Sequence, residues 1–295
     1  MKTYYNPPAI STPNLGAITY IDLRLNFAFN LVFGNKGNEY LLLKLVNAIL
    51  PELNIEAVSL SNQSQPGRRK SARSAVFDVS CITSDGQNII IEMQYEHQDD
   101  FNDRMIFYST FPIQNSLRKG DGTYRFMPTY VIGITDFILT GIKPNDRIIN
   151  IYSSINEADK EIRLSENLHY VTVELPKLNK GLSELETPAD MLFYAIRNIC
   201  RMERMPDKYI GSGLEKLFEL CKFAAMNEFV QKEYVQAFMA DLDLRSKQRT
   251  SYNEGRKEGK EEKAREIAAS LKAQGIPTEV ISAATGLADE QIEAL

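Results

Sequence analysis

The chain has 295 residues, 43% of them hydrophobic, and a formal net charge of −5. That content supports a sizeable core and argues against wholesale disorder, while the negative balance restricts any nucleic-acid contact to a local basic patch. Cys81, Cys200 and Cys221 are scattered and odd in number, and His97 and His169 are the only histidines, so a disulfide framework, a zinc cluster and a His-rich metal site are all disfavoured. Residues 1–20 are Pro-rich and weakly patterned, which predicts an extended arm, and they contain no apolar segment of secretory type. The greasiest stretch, residues 130–142, is short and interrupted by Asp136, too short to span a bilayer. The expectation is an intracellular, cytoplasmic protein with no membrane segment.

Residues 21–34 (IDLRLNFAFNLVFG) put Leu25, Phe29, Val32 and Phe33 on one helical face and stop at Gly34. A second amphipathic helix is predicted over 38–50, ended by Pro51. Residues 54–61 read as a strand and 61–74 (SNQSQPGRRKSARS) as a polar loop. Strands over 75–83 and 87–95 flank Ser84-Asp85-Gly86, a hairpin signal. A helix over 99–119, interrupted near Pro112, leads to a buried-type strand over 127–139. Further strands are expected over 147–154 and 169–175, then helices over 187–204, 211–226 and 228–248. Helices, then strands, then helices again indicate an α/β or α+β core with a helical C-terminal region. Four segments follow: an arm (1–20), a core (21–185), a helical region (186–250) and a charged helical tail with a terminal helix pair (251–295).

The stretch NIIIEMQY (88–95) raises a chemical question. Alternate strand residues share a face, so Glu92 and Gln94 point together. Pairing across the Asp85-Gly86 turn sets Asp78 opposite roughly Met93, hence beside Glu92 and Gln94. Two close carboxylates repel. A bound Mg²⁺ relieves that, since it takes oxygen ligands, commonly one or two carboxylates plus substrate phosphate. Such a metal activates water and stabilises charge on a phosphodiester. The plain alternative is a pair of exposed strand acids.

Phe77-Asp78, IIIEMQYEHQ (89–98), FNDRMIFYSTFPIQNSLRKG (101–120) and TYVIGITDF (129–137), preceded by FAFNLVFG (27–34) and LLLKLVNAIL (41–50), together resemble the Rpn-type recombination-promoting nucleases, PD-(D/E)XK family transposases. The similarity covers about residues 20–180. It implies a restriction-endonuclease-like fold, a central mixed sheet flanked by helices. It also implies metal-dependent DNA cleavage with Mg²⁺ or Mn²⁺ on Asp78 and Glu92, the Met93 main-chain carbonyl as a third ligand, and Gln94 at the usual lysine position. The family usually opens with Asp-x-x-Phe-Lys. Here Asn26 and Asn30 replace both charges, Ser116 stands where a glutamine is usual (Gln114 is nearby), and Asp22 is a candidate substitute acid one turn before Asn26. These departures motivate the alternative of a catalytically impaired nuclease fold used for DNA binding or protein interaction.

Gln98, Asp103 and Arg104 follow on a predicted helix. A guanidinium matches phosphate oxygens, so Arg104 is a candidate contact to the scissile phosphate, with a salt bridge to Asp100 or Asp103 as its plain reading. Arg68, Arg69, Lys70 and Arg73 form a basic loop suited to DNA phosphates, with a merely solvated loop as the equal alternative. Glu39 reads as an exposed helical acid. From Asn253 onward there are six basic and nine acidic residues. Glu254, Glu258 and Glu262, with Lys257, Lys260 and Lys263, predict a solvated helix that projects from the core. The final segment ISAATGLADEQIEAL has helix-turn-helix spacing, but its second helix carries Asp289, Glu290 and Glu293 and no cation. A reader of DNA needs donors there, so a protein-contacting role is expected. Double-strand cutting by a single-site enzyme would favour a homodimer.

Overall fold

The computed structural model describes residues 18–65, 75–117, 122–139 and 145–295. In chain order its elements are α1 (Asn26–Phe33), α2 (Glu39–Ile49), β1 (Val58–Leu60), β2 (Ser64–Gln65), β3 (Ala75–Val76), β4 (Val79–Thr83), β5 (Asn88–Gln94), α3 (Phe101–Ser116), β6 (Thr129–Thr135), β7 (Ile149–Ser153), β8 (Leu168–Glu174), α4 (Pro188–Asn198), α5 (Glu215–Cys221), α6 (Glu228–Ala273), α7 (Thr278–Thr285) and α8 (Asp289–Glu293). The predicted arm falls on residues 1–20, of which 1–17 lie outside the described residues.

Six strands form one mixed sheet in the order β1-β4-β5-β6-β8-β7. Its centre, β5-β6-β8, is parallel, and antiparallel pairs flank it on both sides. The parallel strands need covered faces, and both are covered. Val79, Cys81, Ile89, Ile91, Met93, Ile132, Ile134 and Val173 turn one way into a core shared with α1, α2, α4 and α5. Ile90 and Val131 turn the other way, onto Phe101, Met105, Tyr108 and Phe111 of α3. Helix α3 is the crossover that a parallel β5-β6 pair requires. Pro112 lies inside it and does not end it.

The hairpin expected at Ser84-Asp85-Gly86 is present. Gly86 has φ +82° and donates its N–H to Thr83 O at 2.9 Å, a backbone shape that glycine adopts without Cβ strain. The strand expected over 75–83 is broken. β3 pairs with β2, whereas β4 pairs with β1 and β5, and the chain changes partners at Phe77-Asp78. Part of the expected polar loop, Ser64–Gln65, is therefore strand.

Gly133 on β6 sets how closely α3 approaches. A Cβ there would lie 2.6 Å from Phe101 Cζ and 2.9 Å from Met105 Sδ. The helix rests on the bare backbone at the residue paired with Glu92.

Below the other face lies a buried ion network. Arg24 forks onto Asp22 (Nε–Oδ1 2.8 Å, Nη2–Oδ2 2.6 Å), reaches Asp136 Oδ2 at 2.7 Å and stacks 4.1 Å from the centre of the Tyr95 ring. Arg197 of α4 holds the other Asp136 oxygen at 2.7 Å. Burial opposes the Arg24 charge, but the hydrogen bonds and charge of Asp22 prevail and hold it firmly protonated. The backbone N–H of Asp136 donates to Gln94 O at 3.1 Å, tying this network to the end of β5.

Residues of the expected core and of the expected helical region share one hydrophobic cluster, running from Tyr20 to Tyr234. Ile21 N–H donates to Cys221 O and Phe223 N–H to Thr19 O, both at 2.9 Å, and the Tyr234 hydroxyl accepts from Asp22 N–H at 2.9 Å. This compact unit ends at Phe238, and a second includes residues from Met239 to Leu295. In the second, Ala268 of α6 packs with Ile281, Leu287 and Ile292, giving the final helix pair a small core of its own. Among the described residues no helix is long and apolar enough to cross a membrane.

Gly133→Ala is expected to lower stability by about 1–3 kcal/mol, because the added methyl overpacks the α3 contact. A urea midpoint equal to the parent's would refute that.

Candidate active site

The β4-β5 register aligns Val79 with Ile91 and Ser80 with Ile90. Continued by one residue, it sets Asp78 opposite Glu92, one position from the expected Met93. Glu92 and Gln94 alternate with Met93, whose side chain is fully buried on the opposite face. Both acids therefore stand on the α3 side of the sheet.

Asp78 lies where the strand changes partners, and three contacts hold it. Its Oδ2 accepts the Met93 N–H at 2.7 Å. Its backbone N–H helps to hold the Glu92 carboxylate. Its carbonyl accepts from Asn30 Nδ2 at 2.7 Å. Asn30, a departure from the resembling pattern, thus satisfies a backbone carbonyl. Gly34 leaves room for that amide, since a Cβ there would lie 2.8 Å from Asn30 Nδ2.

Helix α3 closes the site from above. Arg104 Nη2 makes a short hydrogen bond to Gln94 Oε1 and lies 3.8 Å from Glu92 Oε1. Its guanidinium sits 5.3 Å from the centre of the Phe101 ring. The salt bridge expected to Asp100 or Asp103 is replaced by these inward contacts. The Gln94 amide is held at both ends, because Nε2 donates to Glu96 O at 3.1 Å. Tyr108, one turn after Arg104, offers its hydroxyl to Glu92. Glu92 is only 3% exposed, and its Oε2 has no hydrogen-bond partner among the described residues.

The electrostatics follow from this geometry. Burial pushes the Asp78 carboxyl up to about 7, against the Met93 N–H and the Arg104 charge. Burial, then the Asp78 charge, pushes Glu92 well above the ordinary carboxylate range, with Arg104 the main opposing influence. Two acids that resist joint ionisation, one with an orphaned oxygen, offer the hard oxygen donors that Mg²⁺ or Mn²⁺ takes. Among the described residues no group of three or more His, Cys, Asp or Glu is gathered for a metal. Among the described residues, the carboxylates that could support a cation here are Asp78 and Glu92.

Other sequence candidates lie elsewhere. Asp22 is committed to Arg24. Asn26 is exposed at the start of α1. Glu39 accepts the Gly37 N–H at 2.7 Å in the turn before α2. Ser116 Oγ bonds its own helix at Ile113 O. Arg68, Arg69, Lys70 and Arg73 lie outside the described residues. Sequence reasoning assigned no role to Tyr108 or Gly133. Only the E-M-Q strand followed one crossover later by G-I-T hinted that a helix is seated there.

Because both carboxyls bind protons more tightly folded than unfolded, their contribution is fully present below the ordinary carboxylate value. It is lost as pH rises towards 7. In chelator, unfolding free energy should fall between pH 5 and pH 7 by on the order of 1 kcal/mol per pH unit, and Glu92→Gln should flatten that slope. A parent whose stability is flat or rising across this window contradicts the assignment.

The model of the PD-(D/E)XK nuclease family transposases matches residues 23–251. No curated protein and no solved structure matches the chain. The match spans the sheet, the carboxylate pair and α3, and the mixed sheet flanked by helices is the architecture expected of a PD-(D/E)XK nuclease fold. The chain therefore belongs to the PD-(D/E)XK nuclease family transposases.

Proposed function

We propose that the chain is a divalent-metal-dependent DNA endonuclease that hydrolyses phosphodiester bonds in the cytoplasm, in recombination or in the movement of mobile elements. The observation that carries this reading is the buried, unpartnered Glu92 Oε2 beside the Asp78 carboxylate, within a family match that spans both. Asp78, Glu92 and the Met93 carbonyl would hold Mg²⁺ or Mn²⁺, with water and substrate phosphate completing the shell. When bound, the ion supplies a lowered pKa for attacking water and charge stabilisation at the phosphorus.

The chain's own residues do the rest. Asp78, held by Met93 N–H and Asn30, keeps its carboxylate turned toward Glu92. Gln94 carries no charge where a lysine is usual. Its Oε1 holds Arg104 instead, and the guanidinium brings a fixed positive charge to the same place. That charge would meet a phosphate oxygen as negative charge develops, in a site where water is scarce and electrostatics are strong. Gln94 thereby acts on the reaction by orienting Arg104, with its second amide hydrogen available to water. Arg68, Arg69 and Lys70 would add phosphate contacts. A homodimer would supply two such sites for the two strands, and the final helix pair would serve protein contact.

The second reading, a nuclease fold kept for DNA binding or protein interaction, is favoured by one observation. Where the family pattern opens with an acid this chain has the exposed Asn26, and among the described residues no third acid gathers with Asp78 and Glu92.

Incubation of supercoiled plasmid with the full chain and Mg²⁺ or Mn²⁺ separates the two. Nicking that Asp78→Ala and Glu92→Ala both abolish is expected. Absence of nicking with either ion supports the second reading. Arg104→Met should slow nicking about 10²-fold; a rate within twofold of the parent removes Arg104 from the reaction.

A further inference from the structure

On the same side of the sheet as the carboxylates, a groove of about 350 Å³ lies between the C-terminal half of α3 and the β4-β5 hairpin. None of the described residues that line it is charged. The polar lining is mostly amide: Asn62, Gln65, Asn88 and Asn115. Asn115 Nδ2 donates to Gln65 Oε1 at 3.0 Å, joining α3 to β2 across the groove. Asn88 shares its strand face with Ile90 and Glu92, and its side-chain amide has no hydrogen-bond partner among the described residues. Apolar surface from Met127, 44% exposed, completes the lining.

This chemistry favours one ligand class over another. A phosphate site needs cations or a cluster of backbone N–H groups, and none of the described lining residues is a cation. Side-chain amides offer a donor and an acceptor in one plane, the pattern that reads the edge of a base, adenine best of all. Exposed apolar surface beside them suits the face of a base. The position fits as well. Asn88 stands four strand residues from Glu92, about 13 Å, which corresponds to roughly four stacked nucleotide steps.

Resting on the nuclease reading above, we propose that this groove holds an unpaired base of the strand being cut. The preferred substrate is then DNA with single-stranded nucleotides beside the scissile phosphate. A paired base keeps one edge open in the major groove, but both its faces are stacked on neighbouring bases, so it cannot lay a face on the apolar wall while the amides read its edge.

The test is binding by the full chain in chelator, where the strand stays intact. The probes are a fluorescent adenine-containing single strand, its duplex, and the same strand with one abasic position. The parent should bind the single strand about 10-fold more tightly than the duplex, and Asn88→Ala and Asn115→Ala should each weaken single-strand binding by about 5- to 50-fold. The slope of log affinity against log salt should stay unchanged in both, because no phosphate contact is lost. One abasic position should erase most of the parent's advantage for the single strand. Asn115 is exposed, so its variant tests the groove without disturbing the core. Equal affinity for single strand and duplex, or variants that bind like the parent, overturns the proposal. So does a variant that lowers the salt slope. If the parent still nicks plasmid in those cases, only this inference falls; if it neither binds nor nicks, both fall.

Discussion

The exchange of strand partners at Asp78 governs this structure. Up to Val76 the chain pairs with β2, and from Val79 it pairs with β1 and β5. The residue between the two ladders has a backbone that neither ladder satisfies and a side chain free to turn across to β5. Its carboxylate takes the Met93 N–H, its carbonyl takes the Asn30 amide, and Glu92 is thereby forced into its company. A continuous strand would have paired that backbone within the ladder and left the Asn30 amide without this carbonyl to hold. The break that looks like a defect of the sheet creates the site, as irregularities beside active sites commonly do.

Two supports of different kind keep the arrangement rigid. On one side, Gly133 lets α3 lie against the sheet, so that Arg104 and Tyr108 reach the carboxylates. On the other, Arg24 links Asp22 to Asp136, and Asp136 grips the end of β5 through its backbone. A buried ion network of this kind is weak evidence for stability, because desolvation offsets the attraction. Its effect here is geometric. Arg197 and Tyr234 bring α4 and α6 into the same lattice of bonds. The helices after the sheet are therefore part of what holds the strand ends in place.

Much of this was legible in the sequence. The run of isoleucines ending in Glu-x-Gln located β5 and its polar face, because period-two alternation is a direct consequence of strand geometry. The Asp-Gly turn gave the hairpin, though the register moved by one residue, since turn chemistry alone does not fix where a break in the preceding strand falls. The start of α1 was set too early. Residues 21–25 are as apolar as a helix face, but they run extended through the core so that Asp22 and Arg24 can meet Asp136. An ion pair between residues 112 apart in sequence leaves no local trace. The helix expected over 228–248 continues unbroken to Ala273, because paired charges along it carry it past residues that would end a shorter one. The partner of Arg104 was misjudged for a related reason. Asp100 and Asp103 are neighbours along the chain, whereas Gln94 is a neighbour only once Gly133 has admitted the helix.

The bonds joining residues 19–22 to residues 221–234 have a consequence for how such a unit can be attached to others. The first unit enters and leaves its fold at nearly the same spot. Polypeptides with adjoining ends can be spliced into a surface loop of a host protein with little distortion of either.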